Sequence, residues 1–189
     1  MHGQSNKLNN YLHLPVQSGS NNILKLMNRK YTIEEYMKII DDLRKECPDI
    51  ALSSDFIIGY PGETDQDFKQ TLKLVKDVEF SQAYSFKYSS RPGTKSSRIN
   101  SDNVPRNIKD ERLRELQELL NKQQKNFNNK YVSKTLEVLV KGEGKKPNQY
   151  RGTTRWMQVV NFYSTRPVKE TENVKIIKSS DNSLLGEVV

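Results

Sequence analysis

Apolar positions in the first half of the chain fall into short blocks separated by helical patterns. Three apolar runs predict strands at residues 11–16, 50–58 and 83–88. Between them, apolar side chains recur every three to four positions, which predicts a short helix near residues 23–27 and longer helices capped by Thr32 and Thr64. Glu35 stands three residues after Thr32, the spacing of a capping box. Strands alternating with helices in this way indicate βαβ units with parallel pairing.

The second half of the chain changes its period. Residues 106–131 carry apolar side chains at helical spacing within a charged sequence, which predicts one long connecting helix. Leu136, Val138 and Val140 then occupy alternate positions, as in a strand. Further short apolar runs predict a small antiparallel β-barrel, at residues 157–162, 174–177 and 184–189. The predicted organisation is a partial α/β barrel (1–105), a connecting helix (106–131) and a β-barrel (132–189).

Composition limits the environment and the partners. The 189 residues are 34% hydrophobic and 29% charged, and no apolar run approaches the roughly 18 residues that span a bilayer. With no apolar signal-peptide core and a single cysteine, we expect a cytoplasmic protein with no membrane partner. The net charge is +8, and residues 132–189 hold ten Lys and Arg against six Asp and Glu. This excess favours a polyanion such as RNA, although a generally basic protein would look the same.

Two phrases carry candidate chemistry at the ends of predicted strands. LHLPVQSGS (residues 12–20) places the Gln17 amide, a donor and an acceptor, where the strand meets its turn. DFIIGYPGET (residues 55–64) combines flexible Gly59 and Gly62 with stiff Pro61, so its backbone could approach a flat ring closely. Barrels build ligand sites at the carboxyl ends of their strands. The alternatives are that Gln17 and Ser18 only satisfy turn backbone, and that Glu63 only complements a helix dipole.

Together these phrases resemble the radical S-adenosylmethionine methylthiotransferases, enzymes that place a methylthio group on an adenosine beside the tRNA anticodon. The resemblance covers residues 11–189 and implies an α/β fold, the second half of a radical S-adenosylmethionine (β/α) partial barrel resembling a TIM barrel. A small OB-like β-barrel, the TRAM domain, follows. It also implies that six residues line or shape the S-adenosylmethionine pocket: Gln17, Ser18, Gly59, Pro61, Gly62 and Glu63. The wording HLPVQSGS favours the type that acts on isopentenyl-adenosine.

Arginines and one aromatic residue are the candidate RNA contacts. In the tail, Arg151 and Arg155 are interleaved with Trp156, and cations that take phosphates beside rings that stack on bases are typical of RNA-binding loops. Arg91, after the third predicted strand, is either a phosphate contact or a solvated loop residue. Trp156 is either a base-stacking ring or part of the barrel core. The expected partner is the anticodon stem-loop of tRNA.

The chain departs from the family in its cysteines. The intact enzyme uses S-adenosylmethionine and two 4Fe-4S clusters, the first held by a C-x-x-x-C-x-x-C loop, because soft thiolates bind iron. Cys47, on the apolar stripe of a helix, is the only cysteine here. We therefore expect none of these cofactors to bind stably to this chain alone, a separate N-terminal half to carry the clusters, and the strand at residues 11–16 to be an open edge. The alternatives are a stand-alone RNA-binding TRAM module, and a related methylthiotransferase for threonylcarbamoyl-adenosine tRNA or a ribosomal protein.

Overall fold

A computed structural model describes residues 8–90 and 104–189. Contacts within the chain define two compact units. The α/β unit comprises His13–Pro48 and Leu52–Leu120, and the barrel unit comprises Asn121–Val189 together with Asp49–Ala51 and the residues up to Leu12. Arg91, a candidate RNA contact, lies outside the described residues.

Three strands form a sheet in the order β1-β2-β3, accompanied by four helices. The strands are β1 (Tyr11–His13), β2 (Ala51–Ile58) and β3 (Gln82–Lys87). The helices are α1 (Asn21–Leu26), α2 (Ile33–Glu46), α3 (Asp65–Val78) and α4 (Arg106–Asn129). β2 and β3 run parallel, with Ser53 opposite Gln82 and Ile58 opposite Lys87. The predicted parallel α/β arrangement is confirmed.

The first strand is shorter than predicted because Pro15 interrupts it. Proline has no amide N–H to donate to a neighbouring strand, and β1 ends at His13. The next amide, that of Val16, donates to the Ser54 hydroxyl at 3.0 Å instead of to a main-chain carbonyl. Parallel pairing resumes only at Gln17, which forms an isolated bridge with Phe56. The interruption therefore separates the Gln17 segment from the regular strand.

Both predicted helix caps are present. The Thr32 hydroxyl accepts from the Glu35 amide while the Glu35 carboxylate accepts from the Thr32 amide, so the capping box is complete. Thr64 caps α3 in the same reciprocal way with Asp67. These caps satisfy amides that a helix leaves unpaired at its start. They also fix where the chain leaves the loop between α1 and α2 and the loop between β2 and α3.

Five strands close a barrel in the order β4-β5-β6-β8-β7. They are β4 (Thr135–Glu143), β5 (Gln149–Thr153), β6 (Val159–Tyr163), β7 (Thr171–Ser179) and β8 (Leu184–Val188). Alternate residues point inward and form an apolar core around Val138, Val160 and Phe162, all fully buried. The closed barrel is confirmed, but the pairing of β6 with β8 is parallel, whereas the other four pairings are antiparallel.

The sequence pattern did not predict β5. Its five residues, QYRGT, contain a single large apolar side chain, Tyr150, and so lack an alternating pattern. Gly152 occupies its second inward position because a Cβ there would lie 2.5 Å from the Leu139 carbonyl oxygen. The close approach of two backbones replaces the usual inward side chain. Apolar periodicity cannot detect a strand that is built in this way.

Candidate functional site

A cavity of about 460 Å³ opens in the α/β unit at the carboxyl ends of β2 and β3. Gln17 and Ile57, which come from the two sequence phrases, both line it. The other lining residues are Met27, Arg29, Asp55, Tyr60, Phe86, Lys87, Tyr88 and Ser89. Carboxyl ends of parallel strands meet at one edge of a sheet, which is where α/β proteins bind ligands. The two phrases therefore converge on one candidate ligand site.

Gln17 has a constrained backbone at the edge of this cavity. Its φ of 72° lies in the left-handed region, which a non-glycine residue adopts at a cost. The main chain holds it there, since its amide donates to the Asp55 carbonyl and its carbonyl accepts from the Ile57 amide, both at 2.9 Å. Strained backbones are concentrated at functional sites because the surrounding structure must fix them.

Two tyrosines support the segment that carries Gln17. The Tyr36 hydroxyl donates to the Leu14 carbonyl at 2.8 Å, and the Tyr31 hydroxyl donates to the Val16 carbonyl at 3.1 Å. Burial raises the pKa of Tyr36 to about 12, so its phenol remains a donor throughout the physiological range. These bonds occupy carbonyl groups around Pro15 that the interrupted strand does not pair. The backbone that carries the Gln17 side chain is therefore held in place by hydrogen bonds.

Ser18 serves the turn and does not line the cavity. Its hydroxyl accepts from the Ser20 amide at 3.2 Å and lies 3.4 Å from the Thr71 hydroxyl. Only 1% of the residue is exposed. Of the two interpretations given above, this geometry favours the one in which Ser18 satisfies turn backbone.

The Gly59–Glu63 turn is held by residues of α4. Glu63 Oε1 accepts from the Gly59 amide at 3.1 Å and from Arg112 Nη1 at 2.8 Å. Arg112 also donates to the Glu63 carbonyl at 3.3 Å and to the Asp65 carboxylate. Lys109 packs beneath the turn so closely that a Cβ on Gly59, whose φ is +71°, would lie 2.4 Å from its Cγ. Glu63 thus locks the turn and does more than complement a helix dipole.

Burial dominates the electrostatics of this ion pair. The Glu63 side chain is 1% exposed and the Arg112 side chain 8% exposed. Burial raises the pKa of Glu63, and the Gly59 amide and the Arg112 guanidinium oppose that rise. Sequence reasoning missed Arg112 and Lys109 because they lie within a generally charged helix. Only their burial distinguishes them from its solvated residues.

Pro61 and Gly62 complete this turn without lining the cavity. Gly62 has a φ of +87°, which favours glycine, and a Cβ there would meet only the end of the Leu26 side chain at 3.3 Å. Tyr60, between Gly59 and Pro61, is the member of the turn that reaches the cavity. Its hydroxyl donates to the Leu26 carbonyl at 3.2 Å. Tyr60 lines the cavity, whereas the four predicted residues of this turn, Gly59, Pro61, Gly62 and Glu63, do not.

A carboxylate held by a histidine also faces the cavity. Asp55 lines it, and Asp55 Oδ2 lies 3.5 Å from His13 Nε2. His13 Nδ1 lies 2.7 Å from the Ser53 hydroxyl. Both ring nitrogens of His13 therefore face protein groups, as in a histidine with a structural function.

The remaining wall is aromatic. The rings of Tyr60 and Tyr88 meet edge to face with centroids 5.0 Å apart, and Lys109 Nζ lies 5.6 Å from the centre of the Tyr88 ring. Phe86, which also lines the cavity, is 56% exposed. Apolar and aromatic walls with a few convergent polar groups are typical of small-molecule sites. The combination suits a flat heterocycle carrying hydroxyl or charged substituents.

The described residues do not fit an iron–sulfur cluster. Cys47 caps the end of α2 and is 5% exposed. Within residues 8–90 and 104–189, no group of three His, Cys, Asp or Glu side chains is arranged to hold a metal ion. The S-adenosylmethionine implied by the resemblance fits the cavity better, since the cavity offers apolar walls, an amide and a carboxylate.

The barrel unit places the three candidate RNA residues of the tail differently. Arg151 is exposed on the outer face of β5, opposite Asn161, and Arg155 is exposed in the turn after β5. Trp156 is half-buried in the same unit; its ring centroid lies 4.8 Å from that of Tyr131, and its Nε1 donates to the Asp49 carbonyl at 3.0 Å. This geometry favours the core interpretation of Trp156.

Comparison with known proteins finds two family matches along the chain. Residues 4–75 match the radical SAM superfamily and residues 129–189 match the TRAM domain. The chain is therefore similar to the radical SAM superfamily in its first part and to the TRAM domain in its last part, and the resemblance seen in the sequence is confirmed.

Relatives extend this similarity over the whole chain. Proteins named tRNA-2-methylthio-N(6)-dimethylallyladenosine synthase are 46% identical over 188 residues in Erythrobacter litoralis (100% of this chain, 42% of the relative) and 50% identical over 189 residues in Wolbachia pipientis (98% and 43%). The relative from Agrobacterium fabrum is 49% identical over 179 residues (94% and 39%). The chain therefore spans less than half the length of these relatives. In the part of the chain that the structure describes, no helix is long and apolar enough to cross a membrane.

The Glu63–Arg112 ion pair yields the first prediction. Arg112→Met keeps an unbranched side chain of similar width but leaves a buried carboxylate without its cation, so we expect a loss of about 3–5 kcal/mol in the free energy of unfolding. Adding Glu63→Gln should recover part of that loss, because the uncompensated charge is removed. Urea unfolding of the full chain, followed by circular dichroism, measures both changes.

Lys73→Met is the control for this prediction. It breaks the exposed Lys73–Asp77 pair on α3, and pairs of this kind contribute about 0.5 kcal/mol or less. Equal losses for Arg112→Met and Lys73→Met would contradict the importance given to the buried pair.

A second prediction concerns pH and the barrel unit. Glu172, with a side chain only 4% exposed, accepts from both Arg166 Nη atoms at 2.8 and 2.9 Å and from the Lys169 amide at 2.7 Å. The Arg166 bonds, followed by the Lys169 amide, lower its pKa to about 2 from an ordinary 4.5. A lowered folded-state pKa stabilises the fold above the unfolded pKa, and this stabilisation is lost as the pH falls toward 2.

Glu172→Gln should therefore destabilise the barrel unit at pH 6, and its difference from the unmodified chain should shrink between pH 4.5 and 2. Urea unfolding monitored by the fluorescence of Trp156, the single tryptophan, measures this. Glu170→Gln, at an exposed position just before β7, is the control. A pH-independent difference for Glu172→Gln would refute the assignment.

Proposed function

We propose that this chain is part of an enzyme that methylthiolates N6-isopentenyladenosine beside the anticodon of tRNA. Its similarity over nearly its whole length to synthases named for that product carries the proposal. The geometry supports it, because a cavity suited to a nucleoside lies in the α/β unit and a domain of the RNA-binding TRAM type follows. This activity would place the protein in the cytoplasm, where tRNA is modified.

The cavity is the proposed S-adenosylmethionine site. Ile57, Tyr60 and Phe86 offer apolar surface to the adenine ring, and the Asp55 carboxylate is an acceptor for ribose hydroxyls. Gln17 both donates and accepts, and suits the ribose or the amino-acid end of the cofactor. In the intact enzyme S-adenosylmethionine would supply the methyl group, and its cleavage by one electron from a 4Fe-4S cluster would supply the radical that activates adenine C2–H.

The other predicted residues of this site are proposed to position Tyr60 and Gln17 and not to contact the cofactor themselves. We propose that Gly59, Pro61 and Gly62 shape the turn against which the adenine packs, while Glu63 anchors that turn to Arg112. Ser18 holds the turn after Gln17 through its bonds to Ser20 and Thr71. Substitution at these positions would therefore weaken cofactor binding by displacing Tyr60 or Gln17 rather than by removing a direct contact.

We further propose that the two 4Fe-4S clusters are not held by this chain alone. Each cluster needs at least three thiolates and this sequence contains one cysteine. Purified chain reconstituted anaerobically with iron and sulfide should contain no stoichiometric iron and should form no deoxyadenosine from S-adenosylmethionine. Iron in stoichiometric amount together with cofactor cleavage would contradict this proposal.

The barrel unit is proposed to bind the anticodon stem-loop electrostatically. Phosphate contacts release counterions, so the affinity should fall steeply as the salt concentration rises. Replacing both Arg151 and Arg155 by Ala should weaken binding and reduce the slope of log affinity against log salt by about two. Fluorescence anisotropy with a labelled RNA hairpin measures the affinity and the slope.

The matched control for the arginine variant is Lys38→Ala with Lys76→Ala, which removes two exposed cations of the α/β unit. The control lowers the net charge equally but lies outside the proposed RNA-binding unit. If the two double variants lose the same affinity, binding is a general effect of net charge and Arg151 and Arg155 are not the contacts.

A stand-alone RNA-binding module is the second candidate function. It is favoured by the closed barrel, whose strands pair completely among themselves, and by the poor fit of the described residues to a cluster. S-adenosylhomocysteine, which needs no cluster to bind, separates the two candidates. Calorimetric binding of this compound to the chain supports the enzyme part, whereas RNA binding without it supports the module.

A further inference from the structure

We propose that the TRAM barrel carries a pocket for one unpaired nucleobase at the end where β5 begins. The pocket lies between the turn that joins β4 to β5 and the loop that joins β6 to β7. This inference rests on the RNA binding proposed above and identifies which part of the barrel receives a base. It also makes Tyr163 the aromatic contact with RNA in place of Trp156, which packs against Tyr131.

The pocket is a separate cavity of about 530 Å³ within the barrel unit. Its lining combines an aromatic ring, an amide, a cation and a carboxylate, supplied by Tyr163, Asn148, Arg166 and Glu187. The volume is sufficient for one nucleotide but small for a helical stem. Single-stranded RNA is recognised when a splayed base stacks on an aromatic ring and bonds through its edge.

Hydrogen bonds hold both sides of the pocket before any ligand arrives. The Ser164 amide donates to the Asn148 carbonyl at 3.1 Å, which ties the β6–β7 loop to the β4–β5 turn. The Ser164 hydroxyl donates to the Arg166 carbonyl at 2.7 Å, and Arg166 grips Glu172 with two bonds. A preformed pocket reduces the entropy lost on binding.

Charge favours a base over a phosphate as the occupant. The Arg166 guanidinium is already committed to Glu172, and the Glu187 carboxylate would repel a phosphate. A carboxylate accepts well from the exocyclic amines of cytosine, adenine or guanine, while an amide such as that of Asn148 both donates and accepts. Lys175 is the register partner of Glu187 across β7 and β8.

Arg151 is placed to hold the phosphate beside that base. Alternate residues of a strand share a face, so Arg151 lies on the same outer face as Gln149, about 7 Å along the strand. Gln149 is the register partner of Tyr163, and its side-chain amide lies 3.4 Å from the Tyr163 hydroxyl. Arg155 follows the opposite end of β5. The geometry therefore separates the two arginines that the sequence grouped together.

The test compares stacking with charge at neighbouring positions. Tyr163→Leu keeps an apolar side chain but removes the ring, and should weaken binding of an anticodon stem-loop hairpin by about 5- to 100-fold. Because no phosphate contact is lost, the salt slope should not change. Arg151→Ala should instead reduce the slope by about one, and Tyr163→Phe should bind within about twofold of the unmodified chain. Fluorescence anisotropy at several salt concentrations measures all four proteins.

Photocrosslinking of the unmodified chain gives an independent measurement that needs no variant to fold. With 5-iodouridine placed in turn at each loop position of the hairpin, one position should crosslink to Tyr163. Binding of RNA with neither a crosslink at Tyr163 nor a loss in Tyr163→Leu overturns the pocket and leaves RNA binding intact. Absence of any RNA binding by the unmodified chain overturns both proposals.

Discussion

The buried ion pair between Glu63 and Arg112 is the constraint on which the ligand cavity depends. Burying two charges carries a large desolvation cost, which is recovered only when both partners are well placed and fully bonded. Glu63 meets this condition by accepting from Arg112 and from the Gly59 amide with the same oxygen. The turn after β2 therefore has one favoured conformation, and Tyr60 reaches the cavity wall from it. A flexible Gly59–Gly62 turn without this pair would leave the wall undefined.

The segment that carries Gln17 must also satisfy buried polar groups, and it does so with hydroxyl groups instead of an ion pair. Pro15 removes an amide from the strand ladder, and the Ser54 and Tyr36 hydroxyls satisfy the polar groups that are left. The chain then re-enters the sheet at Gln17 in a left-handed conformation. An interrupted strand thus places a polar side chain at the cavity edge, where an uninterrupted strand would continue its regular alternation of faces.

The barrel unit distributes its side chains by the simple alternation of a closed sheet. Apolar residues such as Val160 and Phe162 point inward, while Arg151 and Tyr163 point outward or lie at the rim. Trp156 departs from this division because it packs on Tyr131 and bonds to the Asp49 carbonyl, and so stabilises the fold. Cations therefore lie on the outer face and a polar pocket lies at the rim. This combination suits the binding of a single-stranded polyanion.

The sequence by itself determined the alternation of strands and helices, both helix caps, the two-residue period of the barrel and the placement of the two phrases at the ends of their strands, because each depends on local spacing along the chain. It did not reveal β5, since Gly152 replaces an inward side chain by close backbone contact. Only the tertiary structure decided which groups Arg112 and Trp156 contact. Arg112 bonds to Glu63, 49 residues away in the chain, and Trp156 bonds to Asp49, 107 residues away. A charged or aromatic residue has the same local pattern whether it faces solvent or a distant partner, so its burial, and with it its function, is determined by packing alone.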